Sequence, residues 1–120
     1  LYDNITILEN ILELTKKISK KSTLVLSGIF PTDEEVLKKK QNERIRELNL
    51  GMANITKQFS GVYFDDSYKL LEDENGNLPY TFHIGDGIHL NSQGNHIWIK
   101  SLRKLFYDIY SKQGGIEHDG

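Results

Sequence analysis

Apolar residues along this 120-residue chain change their spacing in a way that marks out its elements. In residues 4–20 they recur at three- and four-residue steps, with Ile5, Leu8, Ile11, Leu12 and Ile18 on one face, which predicts a helix capped by Asp3 or Asn4. Residues 23–30 form a short, nearly continuous apolar run (Leu24, Val25, Leu26, Ile29, Phe30) punctuated by Gly28 and Pro31. That length and punctuation predict a strand covered on both faces, as in a parallel sheet. Helical spacing returns over residues 32–59 through Leu37, Ile45, Leu48, Met52, Ile55 and Phe59, with Thr32 or Asp33 as cap and Ser60–Gly61 as stop. Residues 62–65 predict a second short strand ending in two acids. Residues 91–111 predict a last helix, capped by Asn91 and burying Trp98, Leu102, Leu105 and Ile109.

The predicted order is helix, strand, helix, strand, long loop, helix, a βαβ unit flanked by a helix on each side. Such units form parallel pairs with right-handed crossovers and belong to open α/β sheets. Two strands are too few for this architecture, since a buried parallel strand needs neighbours and an apolar edge stays open here. The missing sheet is expected from an N-terminal segment, a second chain or a swapped copy. Residues 72–76 read as a solvated turn with a tight reversal at Asn75–Gly76, and residues 114–120 as a flexible tail.

Composition narrows the function classes. Hydrophobic residues make up 38% and charged residues 27%, which is ordinary for a globular domain. The formal net charge is −2; the lysine clusters are offset by nearby acids, so nothing points to nucleic acid or an anionic membrane as partner. No apolar run approaches the roughly 18 residues of a transmembrane segment. The absence of cysteine excludes disulfides, thiolate metal sites and a cysteine nucleophile.

The candidate chemistry lies in the 25-residue stretch from Asp66 to Leu90. Loops that long inside α/β domains are usually functional or disordered. Ligands in open α/β sheets bind beyond the carboxyl ends of strands, and this loop leaves from one. It ends His83-Ile84-Gly85-Asp86-Gly87-Ile88-His89-Leu90-Asn91. An aspartate three residues before a histidine, in a glycine-rich turn, can fold back so that its carboxylate fixes the imidazole tautomer and leaves the other ring nitrogen free as a base. The residues alone leave two other readings open. Asp86 and His89 are ordinary loop residues in one, and a metal site with His83, helped by Asp65 or Asp66, in the other.

The run Asp86-Gly87-Ile88-His89-Leu90-Asn91-Ser92-Gln93-Gly94 closely resembles the last conserved block of the SGNH (GDSL-like) hydrolases, Asp-x-x-His-Leu-Asn-x-x-Gly opening the final helix. Residues 24–31 resemble that family's penultimate core strand, residues 44–59 with Asn49 its crossover helix, and residues 62–65 its last strand. The resemblance covers about residues 5–110, and only the Asp-x-x-His block is specific. It implies a partial flavodoxin-like three-layer α/β/α sandwich with parallel strands, of which residues 1–113 are the C-terminal part of a single domain. It also implies a serine esterase or acylhydrolase with catalytic Asp86 and His89: His89 as general base, Asp86 as its orienter, and no cofactor. The expected partners are a small-molecule, carbohydrate or lipid ester and the missing N-terminal half of the same domain.

The family's Gly-Asp-Ser-like, glycine and Gly-x-Asn-Asp-like blocks are absent from these residues, so nucleophile and oxyanion hole are expected elsewhere and the chain alone is expected to be nearly inactive. Ser27, inside an apolar strand, and Ser67, without a preceding glycine, read as structural. Asn49 and Asn54, on the crossover helix, are poor oxyanion donors. Tyr80, Phe82 and Ile84 either line an acyl or sugar pocket or pack the loop onto the sheet, with packing favoured. Trp98 reads as core, and His96 and His118 as solvent-facing. A non-catalytic binding module derived from this fold is the alternative.

Overall fold

The computed structural model describes residues 2–112, with side chains from Asn4 onward; the expected tail at 114–120 and His118 lie outside the described residues. The elements are α1 (Tyr2–Ile18), β1 (Leu24–Ser27), α2 (Glu34–Leu37), α3 (Asn42–Thr56), β2 (Val62–Asp65), α4 (Ser67–Leu71), a 3₁₀ turn (Tyr80–Phe82) and α5 (Ser92–Lys112). The chain is of the α/β class. β1 and β2 pair in parallel, Leu24 opposite Val62 and Ser27 opposite Asp65.

Side chains on a strand alternate between faces, so positions three apart point to opposite sides. Leu24 and Val62 pack with Leu12 and Ile5 of α1 and Ile55 of α3 in the apolar core. Three residues on, Ser27 Oγ accepts from the indole N–H of Trp98 at 3.2 Å, and Asp65 Oδ1 from the Ser101 hydroxyl at 3.2 Å, both on α5. The helices α1 and α3 therefore meet one set of strand side chains and α5 the other. Trp98 is half-buried, its ring edge-on to Phe30 at 5.2 Å.

Several sequence expectations need correction. The helix expected over residues 32–59 is two helices, parted at Lys38, whose backbone is left-handed (φ 54°, ψ 37°). The apolar rhythm has a gap from Leu37 to Ile45, filled by three lysines and polar residues, so continuing the helix would bury nothing. Instead Glu34 turns back, and its Oε2 accepts the amides of Gln41 (2.6 Å) and Asn42 (2.8 Å) at the start of α3. Those backbone bonds lower the Glu34 pKa. The first strand is shorter than expected: after Ser27 only the Gly28 N–H still reaches β2, at Asp65 O (2.9 Å), and the Ile29 backbone bonds Asn49 instead. The 66–90 stretch is not a plain loop: Tyr68 and Leu71 of α4 are buried, and so is Leu78 beyond it. On α1 the expected single stripe divides. Ile5, Leu8 and Leu12 turn inward, while Ile11 and Ile18 join Ile7 and Leu14 in an exposed second stripe. No described helix is long and apolar enough to cross a membrane.

Candidate active site

The turn between the 3₁₀ segment and α5 is closed by short-range bonds. Ile84 N–H donates to His89 O (3.0 Å) and Asn91 N–H to Phe82 O (2.9 Å), leaving His83 and Leu90 as an isolated antiparallel bridge. Inside this loop Asp86 Oδ1 accepts the amides of Ile88 and His89, each at 2.9 Å. Asp86 Oδ2 accepts from Nδ1 of His89 at 2.5 Å. The hydrogen bond from the His89 ring, followed by the two amides, holds the Asp86 carboxyl far below the usual carboxylate range. The proton of neutral His89 thus sits on Nδ1, and Nε2 carries a lone pair. The His89 side chain is 72% exposed, so that lone pair faces open space.

The rest of the block supports this pair. Asn91 caps α5, its Oδ1 accepting Gly94 N–H at 2.9 Å, as its residue type suggests. Its amide also donates back to Thr81 O (2.8 Å) and His83 O (3.3 Å), tying helix to turn. Gly94 is buried where a Cβ would stand 2.6 Å from Phe82 O. Gly87 has φ +79° and a Cβ there would meet Asp33 O at 3.2 Å, so both conformation and space call for glycine.

A second carboxylate–imidazole pair lies beneath the first. His83 is buried, its Nε2 3.0 Å from Oδ2 of Asp33 and its Nδ1 accepting the amides of Gly85 (2.9 Å) and Gly87 (3.2 Å). Both ring nitrogens are engaged, which corrects the metal reading: His83 faces inward and has no lone pair for an ion shared with Asp86 and His89. Among the described residues no group of three or more His, Asp or Glu side chains could hold a metal. The pairing of His83 with Asp33 was not legible in the sequence, since its members stand 50 residues apart without a shared local pattern.

The serines behave as the sequence suggested. Ser67 is fully buried and its hydroxyl donates to Asp65 Oδ2; Ser27 receives Trp98. Asn49 is spent on the backbone after β1, with Oδ1 accepting Ile29 N–H (2.7 Å) and Nδ2 donating to Ile29 O (2.9 Å). Asn42, which sequence reasoning missed, is buried and binds Thr32 through N–H, hydroxyl and carbonyl at 2.8–2.9 Å, so it fixes the segment that presents Asp33. The packing onto the sheet expected of Tyr80 and Ile84 is not found: both are exposed, and only Phe82 is half-buried. His96 is exposed, as expected.

An imidazole fixed as a base on an open surface, with its carboxylate behind it, can move a proton to and from a reacting group supplied from outside these residues. No family model matches the chain, and no curated protein matches it either. Among solved structures it is similar to one described as "a putative platelet activating factor from Streptococcus pneumonia", at 22% identity and a TM-score of 0.78 over 87% of this chain. The chain spans about half the length of that structure, 50% of it being covered. The likeness is one of fold, and it agrees with the α/β class of the chain.

Proposed function

We propose that this chain is the C-terminal half of an SGNH-type serine ester hydrolase domain, a three-layer α/β/α sandwich completed by an N-terminal half that brings the nucleophile and oxyanion hole. The observation that carries the reading is the Asp86–His89 pair, with Nδ1 bound to carboxylate and Nε2 free. The half-length likeness of fold supports it, as do the two-stranded sheet and the exposed apolar residues of α1 and α5, surfaces that a larger domain covers. Ser27 and Ser67 are engaged in structural bonds, which agrees with a nucleophile outside this segment.

In the proposed reaction His89 Nε2 accepts the proton of the serine hydroxyl as its oxygen attacks the ester carbonyl. The same proton goes to the departing alkoxide when the ester C–O bond breaks. Water then attacks the acyl-serine, giving a proton to Nε2, and the serine recovers it as the carboxylic acid leaves. Asp86 holds the Nδ1–H throughout and stabilises the imidazolium formed in each half-reaction. The residues need no cofactor for these steps.

The test is a fluorophosphonate probe and p-nitrophenyl acetate applied to the intact protein. Labelling at one serine, with acetate release abolished in His89→Ala, supports the reading. A protein that takes no label and releases nitrophenol no faster than buffer is not this enzyme.

A further inference from the structure

The buried pair His83–Asp33 belongs to no part of the proton transfer just described. It cannot act as a base, because the His83 side chain has no exposed surface and both its nitrogens are occupied. Its bonds run instead to the two glycines that flank Asp86. Nδ1 accepts N–H from Gly85 and Gly87 at 2.9 and 3.2 Å, and Nε2 reaches Asp33 Oδ2 at 3.0 Å. Asp33 closes the circuit, its own N–H donating to Gly87 O at 2.9 Å. Asp33 is itself fixed, since its Oδ1 accepts the Glu35 and Val36 amides at the start of α2. The Tyr80 ring packs edge-on against the imidazole at 5.0 Å.

We propose that His83 is a positioning residue for the Asp86–His89 pair, acting only as the neutral tautomer protonated on Nε2, with Asp33 selecting that tautomer. An imidazole accepting two amides at Nδ1 cannot carry a proton there. A carboxylate opposite Nε2 demands a donor at that atom. The tautomer is thereby opposite to that of His89, whose proton is on Nδ1. One carboxylate–imidazole pair is exposed and works. The other is buried and holds the peptide groups on both sides of Asp86, so that the carboxylate meets His89 without having to be ordered at the moment of reaction. The role rests on the function proposed above; the tautomer and the geometry do not.

Two isosteres separate positioning from packing. In His83→Asn the amide oxygen occupies the place of Nδ1 and can accept from the glycines, but nothing reaches Asp33. In His83→Gln the amide nitrogen occupies the place of Nε2 and can donate to Asp33, but the glycine amides lose their acceptor. In the intact protein His83→Asn should keep kcat within about tenfold. His83→Gln should lose about 100-fold in kcat with KM little changed, the scale of a 1 Å misplacement in an active site. Long-range ¹H–¹⁵N spectra of labelled histidine should show His83 protonated at Nε2 and His89 at Nδ1, with the His89 signals moving in His83→Gln and staying in His83→Asn. Equal losses in both variants, an undiminished His83→Gln enzyme, or a His83 proton on Nδ1 would overturn the proposal. If the intact protein cleaves no ester, the hydrolase reading falls, and the spectra alone decide the positioning role.

Discussion

Asp86 grips His89 at two points: one carboxylate oxygen takes the backbone N–H at 2.9 Å, the other takes ring Nδ1 at 2.5 Å. Backbone and side chain of the same histidine are thus referred to a single carboxylate, and the ring direction follows from the turn that carries it.

Replacing that carboxylate by an amide tests the tautomer. Asp86→Asn keeps an oxygen for the Ile88 and His89 amides, but its NH₂ facing Nδ1 favours an imidazole protonated on Nε2, which has no lone pair left for the nucleophile. In the intact protein kcat should fall about 10⁴-fold, with a thermal midpoint within a few degrees of wild type. A loss of activity explained by unfolding, seen as a collapse of the midpoint, would contradict this account.

The acidity of Asp86 is a second handle. Its folded-state pKa lies below the ordinary value of 3.8, mainly because of the His89 hydrogen bond. For a group with a lowered folded pKa, the stabilisation is fully present above the unfolded value and is lost as pH falls through the folded one. The turn should therefore keep its bonds at pH 4 and loosen only well below it. A ¹³C carboxyl titration should place the Asp86 midpoint below 3.8, and His89→Ala should move it upward.

Gly94→Ala would ordinarily favour a helix by about 1 kcal/mol. Here the new Cβ stands 2.6 Å from Phe82 O, a backbone atom already bonded to Asn91 N–H. Overpacking against a fixed carbonyl should win, destabilising the protein by about 1–3 kcal/mol. Urea denaturation measures the difference; a neutral or stabilised variant would show that the turn can yield.

Asn49→Ala removes both hydrogen bonds to Ile29, just beyond β1. With two hydrogen bonds lost, each contributing about 1 kcal/mol, the expected cost is about 2 kcal/mol. Denaturant unfolding should register it, and ester hydrolysis in the surviving folded fraction should stay within about threefold, because Asn49 lies outside the proton path.

The parts that spacing revealed are those whose partners are close in the chain. β2 lies where the apolar run at 62–65 placed it, Asn91 opens α5, and Asp86 meets His89 three residues on, because a glycine-flanked turn and a helix cap are settled within one or two turns of backbone. Pairings across 20 to 50 residues left no such trace. Nothing near His83 announces Asp33, nothing near Asn49 announces Ile29, and the Lys38 break shows only as a gap in an apolar rhythm. Those contacts depend on the parallel pairing of β1 and β2, which carries their following segments to one end of the sheet. Burial then gives each polar group one partner within reach, and an unpaired group would cost more than the chain ordering that pairs it. Local preference wrote the turn, and the folding of distant segments against each other supplied the floor beneath it.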